Sequence, residues 1–236
     1  MTDTSQLGLP LVQASQAQKH VTVNEALMRL DGLVQLTLQS ISQATPPVVV
    51  LDGMCFGVPA GAVNAWSGRE GTVAIGTNGG WSFAAPARGW RAHVADVGAG
   101  AIHDGTNWRI GQVTLSPYNS GLAARVAEVD HVLTPGSASI TGAIIPSNAV
   151  VIGATARVVS EITGTLSSWQ LGNPGAAGRY GAGLGLAVGS YARGVLGQPT
   201  TFYAPEAMQL DASGGDFASG TVRIAVHYLT LSLPDL

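Results

Sequence analysis

Apolar residues near the start of the chain fall at Val23, Leu27, Leu30, Val34 and Ile41, with Thr37 in the slot between the last two, so the steps alternate between four and three. That spacing is a heptad seam and predicts an amphipathic helix. Thr22 followed by Glu25 has the spacing of a capping box, in which a hydroxyl and a carboxylate satisfy free amides at a helix start, and this places the start near Val23. Two readings of the seam stay open: an ordinary helix packed on its own domain, or a short oligomerisation helix, since a full coiled coil needs about three or four heptads. The leader before it, Thr2 to His20, is rich in Gln, Ser and Ala and has no continuous apolar face, which predicts an extended attachment arm. Pro46 and Pro47 remove amide donors and stop helical geometry, and a short strand is expected over Val48 to Leu51.

From Ala65 the pattern changes to short alternating runs, with turn signals about every ten residues at Ser67-Gly68, Asn78-Gly79-Gly80, Arg88-Gly89, Gly98 to Gly100 and Asp104-Gly105. Strands are expected near Thr72 to Ile75, Trp81 to Ala84, Trp90 to Ala95, Ala101 to His103 and Trp108 to Ile110, as an antiparallel meander. The paired Gly and Trp pattern stops around Val113 to Pro117, where a boundary is placed. Longer Val, Ile and Ala runs then predict eight strands, at Glu128 to Leu133, Ser137 to Ile145, Val150 to Ile162, Ser167 to Leu171, Gly183 to Val188, Thr201 to Ala204, Ala207 to Ala212 and Gly220 to Leu231. The fold class is mainly β: an N-terminal helix and a small antiparallel β-meander domain, then a jelly-roll-like β-sandwich. The expected segments are an arm over 1–22, a helix and meander over 23–112, and a sandwich over 113–236.

The run GLPLVQASQAQKHVTVNEALMRLDGLVQ, followed by Trp66-Ser67-Gly68, Gly79-Gly80-Trp81-Ser82-Phe83, Pro86, Arg88-Gly89-Trp90, Asp104-Gly105 and Trp108, resembles a domain of unknown function found in alphaproteobacterial bacteriophages and gene transfer agents. The likeness covers roughly residues 7 to 112. The segments IIPSNAVVIGATARVVSEITG, RYGAGLGLAVGS and GGDFASGTVRIAVHYL resemble the C-terminal module of phage fibre and gene-transfer-agent head-spike proteins. These resemblances imply a virion fibre or head-spike subunit; the heptad-like helix and the charge-poor, glycine-rich body predict a homo-oligomer, most simply a trimer, and the polar leader predicts attachment to a capsid or spike-base protein through the N-terminal arm. The resemblances also imply a receptor-binding role toward host capsular or related surface polysaccharide.

Composition narrows the field. Only 11% of the residues are charged and Gly numbers 32, which suits turn-dense β structure and large self-association interfaces. Lys19 is the one lysine, so ten of the eleven basic residues are arginines, and they are scattered instead of forming a phosphate-tracking stripe. Nucleic-acid binding is not expected. The single Cys55, between Met54 and Phe56, reads as a buried thiol in a chain that folds in a reducing bacterial cytoplasm. MTDTSQLG lacks the features of a signal peptide and no run reaches the ~18 apolar residues of a membrane span, so release by lysis is expected and membrane insertion is not.

Most sought-for chemistry has no support. Gly181-Ala182-Gly183-Leu184-Gly185 lacks the third glycine of a dinucleotide loop, and Gly-x-Ser-x-Gly is absent. The histidines at 20, 93, 103, 131 and 227 are too far apart for zinc, and DASGGD from Asp211 to Asp216 lacks the ligand ladder of a calcium loop, so no metal or cofactor is expected. Glycoside hydrolysis needs two carboxylates astride the bond; Glu128 and Asp130, two apart on one strand face, are the foremost candidates for that rival reading. Binding without hydrolysis needs aromatic faces and planar polar groups, and the span from Trp169 to Tyr203 carries both. Trp169, Arg179, Tyr180, Tyr191, Arg193 and Tyr203 are therefore the candidate carbohydrate-binding residues, with Gln170, Asn173 and Gln198 among them. An arginine fork would suit an anionic capsule. The alternative is that these aromatics, like Trp66, Trp81, Trp90 and Trp108, pack a core or a subunit interface.

Overall fold

The structure, a computed structural model, describes residues 3–13 and 19–236. The chain divides into two compact units, Met1–Gly121 with Leu233–Leu236, and Leu122–Ser232. The division thus falls after the expected boundary, and the last residues rejoin the first unit. There Asn119 Nδ2 donates to Asp235 Oδ2 at 2.5 Å and the Asp235 amide donates to the Tyr118 carbonyl at 2.7 Å.

The helix α1 spans Lys19–Leu33, so Thr22 lies inside it and does not cap it. It ends where Gln35 adopts φ 56°, a left-handed conformation that an α-helix excludes, and Thr37–Leu38 then forms the strand β1. The heptad seam therefore does not continue to Ile41. Nor is the seam the packing face: Val23, Leu30 and Val34 are exposed, while Met28, Asp31 and Gly32 are buried. Gly32 permits the approach, since a Cβ there would lie 2.7 Å from Ile75 Cγ2 and 3.2 Å from Cys55 Sγ.

Asp31 is the anchor of the leader. Its carboxylate accepts from the Thr4 hydroxyl at 2.7 Å, the Gln6 amide at 3.0 Å and the Leu7 amide at 2.7 Å. Two turns earlier, Asn24 Oδ1 accepts from the Val12 amide at 2.8 Å while its Nδ2 donates to the Val12 carbonyl at 3.0 Å. A buried carboxylate must be saturated with donors, and the leader supplies them. Residues 3–13 of the expected attachment arm are fastened to the helix of their own chain; residues 2 and 14–18 of that expected arm lie outside the described residues. Burial, reinforced by the nearby Asp31 charge, pushes the Cys55 thiol up to about 12, against a smaller opposing effect of a Gln6 hydrogen bond, so it stays protonated and unreactive in the fold.

The first unit holds one seven-stranded sheet, ordered β4-β3-β2-β1-β5-β6-β7. Its strands after β1 are β2 (Cys55–Gly57), β3 (Val73–Thr77), β4 (Gly80–Ala84), β5 (Arg91–Val94), β6 (Ala99–His103) and β7 (Trp108–Ile110). Two three-stranded antiparallel meanders flank β1, which pairs in parallel with β2 and with β5. The expected single meander is thus corrected to a mixed sheet stitched by the segment after the helix. Val48 to Leu51 forms no strand, and Val48, Val49 and Leu51 are exposed. Trp66 and Phe56 pack with Trp81 in an aromatic cluster whose ring centroids lie 5.1–5.8 Å apart.

The second unit is a sandwich of two four-stranded sheets, β13-β10-β15-β8 and β12-β11-β14-β9. The strands are β8 (Gly121–Val132), β9 (Ala138–Ile145), β10 (Ala149–Gly164), β11 (Ser168–Asn173), β12 (Ala176–Leu184), β13 (Tyr191–Phe202), β14 (Glu206–Ser213) and β15 (Phe217–Ser232). The neighbours β8 and β15, β9 and β14, β10 and β13, and β11 and β12 nest one inside the next. Val151, Ala154, Ile224 and Val226 from one sheet meet Trp169, Leu171, Met208 and Leu210 from the other in a single core. The glycine-rich stretch that sequence reads largely as loop forms β12 and β13, each the outermost strand of its sheet, where missing side chains weaken the ladder least. A Cβ on Gly194 would lie 2.2 Å from the Tyr180 carbonyl oxygen, so only glycine lets β13 pass over β12 at that point.

Replacing Asp31 by Ala should release the leader and cost about 2–4 kcal/mol, because several hydrogen bonds to a charged acceptor vanish together. Chemical denaturation would show the loss and limited proteolysis a newly cleavable N-terminus; an unchanged midpoint would contradict the anchoring role.

Candidate functional site

Strand β10 sends Ala154, Ala156 and Val158 into the core, which turns Thr155 and Arg157 outward. The same alternation buries Ala192 on β13 and Val222 and Ile224 on β15, so Tyr191, Arg193, Arg223 and Ala225 face outward beside them. Register then decides who meets whom. Arg157 stands opposite Tyr191 on one side and Arg223 on the other; Thr155 stands opposite Arg193 and Ala225. Directly opposed side chains leave Cβ atoms about 4.5–5.5 Å apart, so two adjacent rows bring three guanidinium groups and one phenol ring together. With Glu128 from β8 they line a shallow depression of about 340 Å³.

The three arginines are not equivalent. Arg223 is spent on Asp130: its Nε donates to Oδ1 and its Nη2 to Oδ2, both at 2.7 Å. The hydrogen bonds from Arg223 hold the Asp130 carboxyl below the usual carboxylate range, so the pair persists above that range and loosens as pH falls through the lowered value. The side chains of Arg157 and Arg193 make no hydrogen bond or ion pair among the described residues. Tyr191 is 60% exposed. The arrangement can take an anionic group on a two-point arginine fork while the phenol ring covers an adjoining apolar face.

Of the six residues singled out from sequence, Tyr191 and Arg193 share this face. Trp169 and Tyr180 do not: they are 0% and 2% exposed, within the sandwich core. Trp169 Nε1 donates to the Gly185 carbonyl at 2.9 Å, and the Tyr180 hydroxyl donates to Asn173 Oδ1 at 3.0 Å. With their polar atoms satisfied internally, both rings are free to be buried and are closed to a surface ligand. Asn173 is buried with them, its Nδ2 donating to the Ala207 carbonyl at 2.8 Å. Arg179 lies on β12, in the other sheet, with its guanidinium carbon 5.7 Å from the Phe202 ring centre. Tyr203 is 82% exposed but follows the far end of β13, roughly 30–35 Å along the strand from Tyr191.

Sequence reasoning missed Arg157 and Arg223, which stand far apart in the chain and meet only through register. The available signal was a charged residue at an outward position within two long, otherwise apolar strands. Glu128 and Asp130 do share a strand face, but Asp130 is bound in an ion pair instead of facing a partner carboxyl across a cleft.

Residues 23–109 match the family described as Protein of unknown function (DUF2793). No curated protein matches the chain. Among solved structures, a chain of the cyanophage Pam1 capsid asymmetric unit is similar, with 22% sequence identity and a TM-score of 0.34, over 45% of this chain and 84% of that one.

Two substitutions separate core from surface. Trp169→Ala should destabilise the protein by about 3–5 kcal/mol through the cavity it opens, whereas Tyr191→Ala should change stability by less than about 0.5 kcal/mol. Equal denaturation midpoints for the two variants would overturn the burial assignment.

Proposed function

We propose that this chain is a virion-associated head-spike or fibre subunit, of a bacteriophage or gene transfer agent, that holds anionic host-surface polysaccharide on the outer face of β13-β10-β15-β8 without cleaving it. The observation that carries the binding role is the convergence of exposed Tyr191 with two unpaired arginines, Arg157 and Arg193. Uronate-bearing chains offer what this face takes, a carboxylate for the guanidinium forks and a C–H face for the phenol ring. The particle setting rests on the resemblance of the motif string over residues 7 to 112. The non-hydrolytic reading is supported by Asp130, which is kept ionised and paired and so is ill suited to donate a proton. Attachment to a capsid or spike-base protein through the leader remains part of the proposal, with the leader acting as a bound edge of the first domain.

Assembly of several copies would convert weak contacts into firm adhesion, because each bound site raises the effective concentration of the next. The outward apolar seam of α1 supports such assembly. Val23, Leu27, Leu30 and Val34 keep heptad spacing on the side opposite Gly32, and a like helix complements that spacing.

Encapsulated and capsule-free cells should differ in their capture of the purified protein, with capture weakening as salt rises. Arg157→Ala and Arg193→Ala should each weaken it about tenfold or more, from the loss of a charged hydrogen-bonding group. Equal capture by both cell types would defeat the binding reading, and newly released reducing ends would defeat the non-hydrolytic one.

For assembly, light scattering at micromolar concentration should give an oligomeric mass, most simply a trimer. Leu30→Asp should yield a monomer of unchanged fold, since Leu30 is exposed within one copy. A monomeric wild-type protein would contradict self-association.

A further inference from the structure

The β6–β7 hairpin of the first unit carries a second, differently charged cleft. Its turn is rigid: Asp104 Oδ1 accepts the Thr106 amide at 2.8 Å and the Asn107 amide at 2.6 Å, while Oδ2 receives the Arg109 guanidinium. Burial alone would raise the Asp104 carboxyl, but the Asn107 and Thr106 amides and Arg109 together hold it below its ordinary range. The register then sets His103 opposite Trp108, with ring centroids 4.9 Å apart and planes 65° apart. A Cβ at Gly57 would lie 3.3 Å from both Cδ1 and Nε1 of Trp108, so that edge of the indole rests on bare backbone while the residue as a whole stays half-buried.

His103 is 2% exposed, and burial lowers its pKa despite the adjacent Asp104 charge, which keeps the ring neutral near neutral pH. Its Nδ1 accepts from the Gly105 amide at 3.3 Å, so the ring proton sits on Nε2. No described residue bonds that Nε2–H. Nor is Nε2 sealed from solvent, as Trp66 Nε1 is, so this donor stays open to an acceptor from outside the fold. The cleft, about 420 Å³, is lined by His103, Trp108, Asn107, Glu70, Thr72 and Ile41, among others.

We infer that this cleft is a binding site for a neutral sugar ring, with Trp108 as the stacking wall and His103 Nε2–H, Asn107 and Glu70 engaging the ring hydroxyls. The volume is within the range of small-ligand pockets, and the mixture of one aromatic wall with a few polar groups is what a polyhydroxylated ring requires. Charge sets the class of sugar. The one formal charge lining the cleft is the Glu70 carboxylate, which repels uronates and accepts hydroxyl protons. The arginine face selects the opposite class, and the two sites share no residue, so the failure of either proposal leaves the other standing.

The test uses the full chain labelled with 5-fluorotryptophan, whose five resonances report the five tryptophans separately. Trp108→Phe identifies the Trp108 signal by its disappearance. The probes are the methyl glycosides of glucose, galactose, mannose and N-acetylglucosamine, with methyl glucuronide as the anionic control. At least one neutral glycoside should shift the Trp108 resonance saturably in the millimolar range, and the glucuronide should not. Asn107→Ala and Glu70→Gln alter exposed side chains, so the fold should persist while affinity drops about two- to tenfold for each lost hydrogen bond. A Trp108 signal that ignores all four neutral glycosides, or a shift that survives both substitutions unchanged, overturns the inference.

Discussion

The register of β10 between β13 and β15 is the constraint on which the second unit and its outer face depend. Side chains alternate across a strand, so a slip of one residue would drive Arg157 into the core and expel Val158 to solvent. Burying an unpaired guanidinium costs far more than any local adjustment recovers. The apolar set Ala154, Ala156, Val158, Val222, Ile224 and Val226 therefore locks the pairing, and the arginine face is its by-product on the other side. The irregularity at Ile152, where the register shifts between Val151 and Gly153, resets the alternation partway along β10.

Within a chain so poor in charge, three buried polar groups have evident structural tasks. Asp31 gathers the leader, Asp104 tightens the turn beside Trp108, and Asn173 satisfies Tyr180 inside the sandwich. Arginine follows the same economy. Arg88 bridges the carbonyls of Asp104 and Ser116 and the side chain of Asn119, and Arg223 is taken by Asp130. The side chains of Arg157 and Arg193 stand outside this economy, and both lie on the outer face of their sheet, beside the exposed Tyr191.

Helix α1 divides two tasks between two sides. Gly32, Met28 and Asp31 bind it to the sheet and to the leader, and the seam of Val23, Leu30 and Val34 remains outside. A helix can carry both because residues three and four apart share a face while the intervening ones point elsewhere. Sequence periodicity alone registers an apolar stripe and assigns it to packing; the small residue that permits close approach leaves almost no trace in such a pattern.

Much of the local structure was legible in the sequence. Heptad spacing announced α1, Gly-bearing turns announced the β3–β4, β5–β6 and β6–β7 hairpins but not β2, and Val, Ile and Ala runs announced most strands of the sandwich, because turn chemistry and side-chain period are local properties. The placement of β1 in parallel between β2 and β5, the nesting of the sandwich strands and the conversion of glycine-rich sequence into β12 and β13 came only from tertiary contact, since none of them is written in any short window. The candidate site divides along the same line. Tyr191 and Arg193 were visible as an exposed aromatic and cation on one segment, whereas Trp169 and Tyr180 were indistinguishable from them until Gly185 and Asn173 supplied partners that make burial affordable. Arg157 and Arg223 became neighbours through register alone: sequence determined which residues alternate, and the folded sheet decided which of them stand together.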